Sequence, residues 1–369
     1  MKLKRACLSF LAFFLSYRLT LAAPLHHGRQ FVGLSDFSQF TLGPGDSAGE
    51  SAFVSPEIVS QIKWDELVVS WNVDAAQAVV LKIQARAVYP GHSTRFYTLG
   101  IWSGAAAERH RMSVRDQNDD EGEVRTDTLA LKVPCDRVQI RLILNGNQGI
   151  SKVPAKLLGL CLADTRHEPA PLPPNRAAWG KSIAVPERTQ LDYPQGEQSW
   201  CSPVSTSMIL AWWAGQLQRP ELDRPIPRVA AEVEDPHWPG TGNWPFNTAY
   251  AGSFPGMRAY VSRFSDISEL EDWIASDIPV ALSVAYAALK GVPPRAGADG
   301  HLVVCVGFTR EGDVLVNDPG TRRQIRRTVP RANIVKAWAC SHNTVYLIYP
   351  ATKTIPTDRF GHWTIPKTE

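Results

Sequence analysis

Short runs of alternating apolar and polar residues fill residues 31–162, and turn-forming residues separate them. The strand-like runs are residues 64–73, 78–88, 95–102, 127–133, 137–144 and 155–164. In the run RVQIRLIL, Val138, Ile140, Leu142 and Leu144 share one face, because side chains along a strand alternate. Pieces such as Tyr89-Pro90-Gly91-His92 and Asn145-Gly146-Asn147 punctuate the runs. Many short strands with such turns predict an antiparallel β-sandwich over residues 24–166. The segment HEPAPLPPNRAA, residues 167–178, holds four prolines and reads as a stiff, extended linker.

The pattern changes after the linker. Val204, Met208, Ala211 and Trp212 recur at helical spacing, and Pro203 suits a first helical turn, so residues 203–218 are expected to be a helix. A second helix is expected at residues 267–275, capped by Ser265 or Asp266. Strands are expected at residues 278–286, 301–309, 313–318, 322–329 and 343–349, with Glu311-Gly312 as the tight turn of one hairpin. Helices followed by strands predict an α+β domain over residues 179–369.

Composition changes this picture at the amino end. Lys2, Lys4 and Arg5 precede an apolar run ending in Ala22-Ala23, the layout of a secretory signal peptide over residues 1–23. Arg18 shortens the uninterrupted apolar stretch below the ~20 residues a membrane span needs. The expected location is therefore secreted or periplasmic. The chain carries 39 Lys+Arg against 36 Asp+Glu, a net charge of +3, and the leader holds four of the basic residues. Without it the balance is near −1, and the charge case for a nucleic-acid partner disappears. The acidic stretch at residues 116–123 offers oxygen ligands but lacks the order of an EF-hand loop, so it reads as a solvated loop with no metal assigned.

Cysteine usage is informative in an exported chain. Apart from Cys7 in the leader there are Cys135, Cys161, Cys201, Cys305 and Cys340, an odd number. Cys135 with Cys161 and Cys305 with Cys340 are candidate disulfides, with buried free thiols as the alternative. Cys201 is the odd one out. It stands where a loop becomes a helix, and there unpaired N–H groups and the positive end of the helix dipole favour a thiolate nucleophile.

The other groups needed for acyl transfer follow along the chain. His301 opens the apolar run HLVVCVGF, which needs no polar residue for packing, and is the candidate base. Asp318 ends the next strand, before Pro319-Gly320, and is the candidate orienting acceptor. A hairpin centred on Glu311-Gly312 sets Asp318 opposite Cys305, on the same sheet face as His301 but four residues away. That is about 13 Å at strand rise, so contact requires a bulge or a shifted turn. Gln195 lies six residues before Cys201 and Gln198 three before. An amide donor beside the Cys201 N–H suits an oxyanion. Trp200, Asn243 and Trp244 are candidate substrate contacts. Trp238 and Phe246 suit a cleft lining or a core equally, and His237, the competing base, reads as a loop residue.

The ordered set Gln195, Cys201, His301, Asp318 resembles the papain-like cysteine peptidases. QGEQSWCSP, DGHLVVCVGF and VNDPG resemble more narrowly the C39-like branch, the relatives of bacteriocin-leader-processing peptidases, in its stand-alone exported form. The resemblance covers residues 183–349 and selects Gln195 over Gln198 as the oxyanion donor. Ser202-Pro203 stands where many relatives have Gly-Pro. The resemblance implies a papain-like fold and a Cys-His-Asp hydrolase of peptide or other amide bonds, with no cofactor. The expected partner is a peptide or cell-wall peptide, with glycan or cell-surface contact through the β-domain. Two other readings stay open: a peptidoglycan amidase, and a non-catalytic surface-binding protein on the same scaffold.

Overall fold

The computed structural model describes residues 28–73, 80–103, 111–145, 152–238, 240–294, 299–361 and 363–364. The expected leader and the turn at 146–147 lie outside the described residues. No described helix is long and apolar enough to cross a membrane.

The first half is all β. Its strands are β1 (Arg29–Leu34), β2 (Thr41–Pro44), β3 (Glu50–Val54), β4 (Ile58–Val73), β5 (Val80–Tyr89), β6 (His92–Ser93), β7 (Tyr97–Ser103), β8 (Gly122–Arg125), β9 (Thr128–Asn145) and β10 (Ala155–Ala163). The expected runs 127–133 and 137–144 are one long strand, β9. Its first part pairs with β4 and β8, its last part with β3 and β5. The two separate sheets of the expected sandwich are therefore hydrogen-bonded into a single path among the described residues. Register shifts near Trp64 let β4 and β9 bend without losing their pairing. The interior is filled by Trp64, Trp71, Tyr97, Ile140 and Leu142, all fully buried.

The second half contains α1 (Cys201–Leu217), α2 (Ile226–Val233), α3 (Trp244–Gly252), β11 (Met257–Arg263), α4 (Ile267–Ala275), β12 (Val280–Ala285), α5 (Tyr286–Leu289), β13 (Gly300–Phe308), β14 (Val314–Asn317), β15 (Arg326–Val329), α6 (Arg331–Ala339) and β16 (Thr344–Pro350). A last strand, β17 (Trp363–Thr364), returns to pair with β1. The second sheet runs β11-β16-β12-β13-β14-β15, and its described pairings are all antiparallel. The protein is thus α+β with two sheets. Helix α4 begins where expected, with Asp266 accepting the N–H of Ser268 at 2.6 Å. Helix α1 is buried on nearly every side up to Ala214, as its apolar or small side chains there allow, and only its last turn, with Gln216, is exposed.

The halves share a packed interface. Asn72 of β4 donates to the Ala259 carbonyl (2.7 Å) and accepts the Ala259 N–H (3.1 Å). Phe246 of α3 packs against Trp71 and Trp102, with ring centroids 6.0 and 5.5 Å away, so it is core and not cleft lining. The linker is pinned to α4: the Asn175 N–H meets Glu271 at 2.7 Å, and the Leu172 N–H meets Asp266 at 2.6 Å. All five described cysteines are free, so neither candidate disulfide forms. Cys135, Cys161 and Cys305 are buried as ordinary core thiols, and Cys340 is exposed.

Candidate active site

Helix α1 presents Cys201 as its first residue. Trp200, the residue before it, makes no side-chain cap, and Pro203 sits where its missing N–H costs nothing. Ser205, one turn on, donates to the Leu302 carbonyl at 3.3 Å, and Ser202 shares a 2.8 Å hydrogen bond with Tyr346. Small polar side chains thus hold the start of the helix close to β13, whose second residue is His301.

The hairpin solves the distance problem. Phe308 pairs with Val314, one residue off the register of a turn centred on Glu311-Gly312. A bulge between Cys305 and Gly307 shifts the register by one more, so that Cys305 pairs with Val316 and Val304 with Asn317. Continued by one residue, this register sets Asp318 opposite Val303, two residues from His301 instead of four. An even offset keeps both side chains on one face. His301 Nε2 and Asp318 Oδ1 are 2.7 Å apart. The bulge sits where the segment just after the linker joins the sheet: the Ile183 N–H donates to the Val306 carbonyl at 2.7 Å, and the Phe308 N–H to the Lys181 carbonyl at 3.0 Å. A Cβ on Gly307 would lie 2.1 Å from that Lys181 oxygen, so only glycine fits.

The His301 ring is electrostatically coupled to the Cys201 thiol as well as to Asp318. With Nε2 taken by the carboxylate, Nδ1 is the nitrogen left for the thiol. Burial pushes the thiol up. The His301 hydrogen bond and charge, with the N–H groups of Leu302 and Ser202, outweigh that and hold it below its ordinary value. Burial likewise works against a charged His301, but Asp318 and Cys201 raise it to about 9. For Asp318, burial is outweighed by His301, the Arg327 guanidinium and the Gly320 N–H (2.9 Å to Oδ1), and its carboxyl stays below the usual range.

Three supporting groups escaped the sequence reading. Arg327 of β15 pairs with Asp318 Oδ2. The Gly320 N–H caps Oδ1, and the Tyr286 ring covers the imidazole at a centroid distance of 4.2 Å. The run RRQIRRTV signalled a cationic strand beside the Asp-Pro-Gly turn, but not which arginine faces the carboxylate.

A cleft of about 640 Å³ opens at Cys201 and His301. Gln198, Trp238 and Trp244 line it, whereas Gln195, Trp200 and Asn243 do not. Gln195 is exposed on a loop of successive turns, in which the Ser199 and Trp200 N–H groups both reach the Gly196 carbonyl at 3.0 Å. The chain doubles back there, with Gln195 exposed at the start of the turns. Trp200 folds over Gly196 and packs on Tyr193, with centroids 5.7 Å apart. Asn243 is buried. It caps α3 by accepting the Phe246 N–H at 3.2 Å and donates to Asp235 at 3.1 Å. His237 is tied to the Ser113 carbonyl at 2.8 Å and is a loop residue, as expected. In the acidic stretch, Asp119 accepts from Tyr97 and from the N–H groups of Glu121 and Gly122, which organises the turn before β8.

Two family models match the chain. Residues 182–346 match the Peptidase_C39 like family, and residues 45–159 match the Peptidase C39 N-terminal domain. The C-terminal half therefore carries a C39-like peptidase domain, as its motifs implied. No curated protein matches it significantly. Among solved structures, a candidate C39-like peptidase from Bacillus anthracis is 17% identical, with a TM-score of 0.35 over 46% of this chain and 97% of its own. CpGH89 from Clostridium perfringens, solved with its substrate GlcNAc-α-1,4-galactose, is 11% identical, with a TM-score of 0.17 over 54% of this chain and 19% of its own.

Proposed function

We propose that this protein is a cysteine hydrolase that cleaves peptide or related amide bonds with a Cys201-His301-Asp318 triad. The observation that carries the reading is the 2.7 Å contact between His301 and Asp318, beside a cleft that both His301 and Cys201, the first residue of a helix, line. The thiolate attacks the carbonyl carbon. The imidazolium then protonates the leaving amine, and the resulting neutral imidazole takes a proton from the water that releases the acyl group. Asp318 orients the ring and stabilises its charge. As the first helical residue, Cys201 has no intrahelical acceptor for its own N–H, which is free to meet the oxyanion. Gln198, which lines the cleft, is the better-placed amide donor and replaces Gln195 in this reading.

The test is Cys201→Ala in the full chain against a broad peptide library. Hydrolysis is expected to vanish, and unchanged hydrolysis would sink the proposal. The pH dependence sharpens it. Cys201 alkylation should already be fast well below the free-thiol value of ~8.5. Activity should fall as pH rises through about 9, where His301 loses its proton. The linked stability has the same sign. His301 is raised from 6.5 to about 9, so its contribution is complete below about 6.5 and lost as pH rises through about 9.

A further inference from the structure

The Cys201 cleft is not built by the C-terminal half alone. The turn joining β8 to β9, residues 125–128, lines it too, as does Glu66 of β4. Three observations mark this wall as a shaped element. Thr126 holds φ at 59°, in the left-handed region, which a β-branched residue rarely enters unless its surroundings impose it. Next to it, the buried Asp127 carboxylate accepts the N–H of Trp244, the first residue of α3, at 2.8 Å. The turn and α3 are therefore one unit.

The third observation concerns Trp238. Asp235, fully buried, accepts the N–H groups of Ser113 (3.1 Å), His237 (3.1 Å) and Trp238 (3.3 Å), and Ser113 belongs to the N-terminal half. The His237 ring meets the Ser113 carbonyl at 2.8 Å. The loop is thus bolted to the β-domain, yet Trp238 at its tip is 44% exposed and lines the cleft. Its ring lies over Gly242, where an added Cβ would be 3.0 Å from the indole. A large apolar side chain on a braced loop loses little freedom when it binds a ligand.

Charge selection is not what this end of the cleft offers. Glu66 lies 2.6 Å from Arg263 and 3.5 Å from Arg125, and Arg125 also pairs with Glu123 at 2.5 Å. The ions are matched among themselves, whereas Trp238 and Trp244 present unmatched apolar surface. The volume of about 640 Å³ exceeds what one side chain fills.

We infer that the N-terminal domain is a working part of the substrate cleft. The 125–128 turn and the Trp238 loop that this domain braces form a subsite for an aromatic or large apolar side chain of an extended peptide. That subsite decides which bond is offered to Cys201. The substrate class rests on the peptidase reading above; the subsite rests on its own geometry.

The test uses the full chain carrying Cys201→Ala to capture peptides from a displayed library. It is compared with the same protein carrying in addition Trp238→Ala or Thr126→Gly, the latter keeping the left-handed turn without the side chain. Thermal melting checks that each variant is folded. The first protein should enrich peptides with one aromatic or large apolar position, and each added change should weaken their capture ten-fold or more. The same peptides captured equally by all three proteins, or no peptide enriched by any, would overturn the subsite. Cleavage of the captured peptides by the unmodified protein is scored separately. Peptides captured but left intact would count against the hydrolase reading while the subsite stands.

Discussion

Both sheets carry β-bulges, and they use them differently. In the N-terminal sheet, register shifts recur along β4, β5, β9 and β10, and their effect is spread out: long strands bend so that one hydrogen-bonded path encloses a core of tryptophans. In the C-terminal sheet the single described shift, at Cys305/Gly307, has a local effect: it moves Asp318 toward His301. The first kind of bulge is distributed and therefore tolerant. The second sets one contact, and a one-residue error in it would turn Asp318 to the other face.

The sharpest way to break this contrast is at the end point of the second bulge. Asp318→Asn keeps the shape but removes the charge that holds His301 protonated and pairs with Arg327, so kcat/KM should fall by about 10²–10⁴ and melting should fall as well. Wild-type activity in that variant would mean that the register has no catalytic consequence. The bulge itself comes next. Gly307→Ala places a carbon against the Lys181 backbone and should cost about 3 kcal/mol or more in a urea titration. Gly215→Ala in α1 is the control, because nothing lies near its added Cβ. It should be neutral or stabilising by about 0.5–1 kcal/mol. A smaller loss than at the bulge is expected at the junction between the sheets. Asn72→Ala leaves the Ala259 N–H and carbonyl without their Asn72 partner, at a cost of about 2 kcal/mol. If it instead abolishes activity while the fold survives, the N-terminal sheet acts on the site more directly than by bracing the cleft.

Much of the fold was legible because its signals are local. Helix α4 has the expected bounds, and strands β12 to β16 fall within a few residues of their runs. Asp266 capped its helix because a short carboxylate before an amphipathic run has one good use. The missed elements lacked such signals. Strand β11, MRAYVSR, carries charge at both ends of its span, and α6 has a weak apolar stripe. The candidate disulfides failed because spacing along a chain says nothing about distance in space. Asn243 looked like a contact because it precedes a tryptophan, but its amide is spent on a helix cap.

For the site, the residue types and their order along the chain were determined by sequence alone. A cysteine before a helix, a histidine opening an apolar strand and an aspartate closing the next one define a chemistry before any fold is known. The sequence also exposed the difficulty, since strand rise sets a distance that a simple hairpin cannot close. Only the tertiary structure decided how it closes. The bulge exists because the backbone from Lys181 to Ile183, just after the linker, hydrogen-bonds across Gly307, an interaction between segments more than a hundred residues apart. The same holds for which glutamine, Gln198 and not Gln195, lines the cleft, and for the N-terminal turn in its wall. Each depends on where separate parts of the chain meet, and packing, not periodicity, sets that.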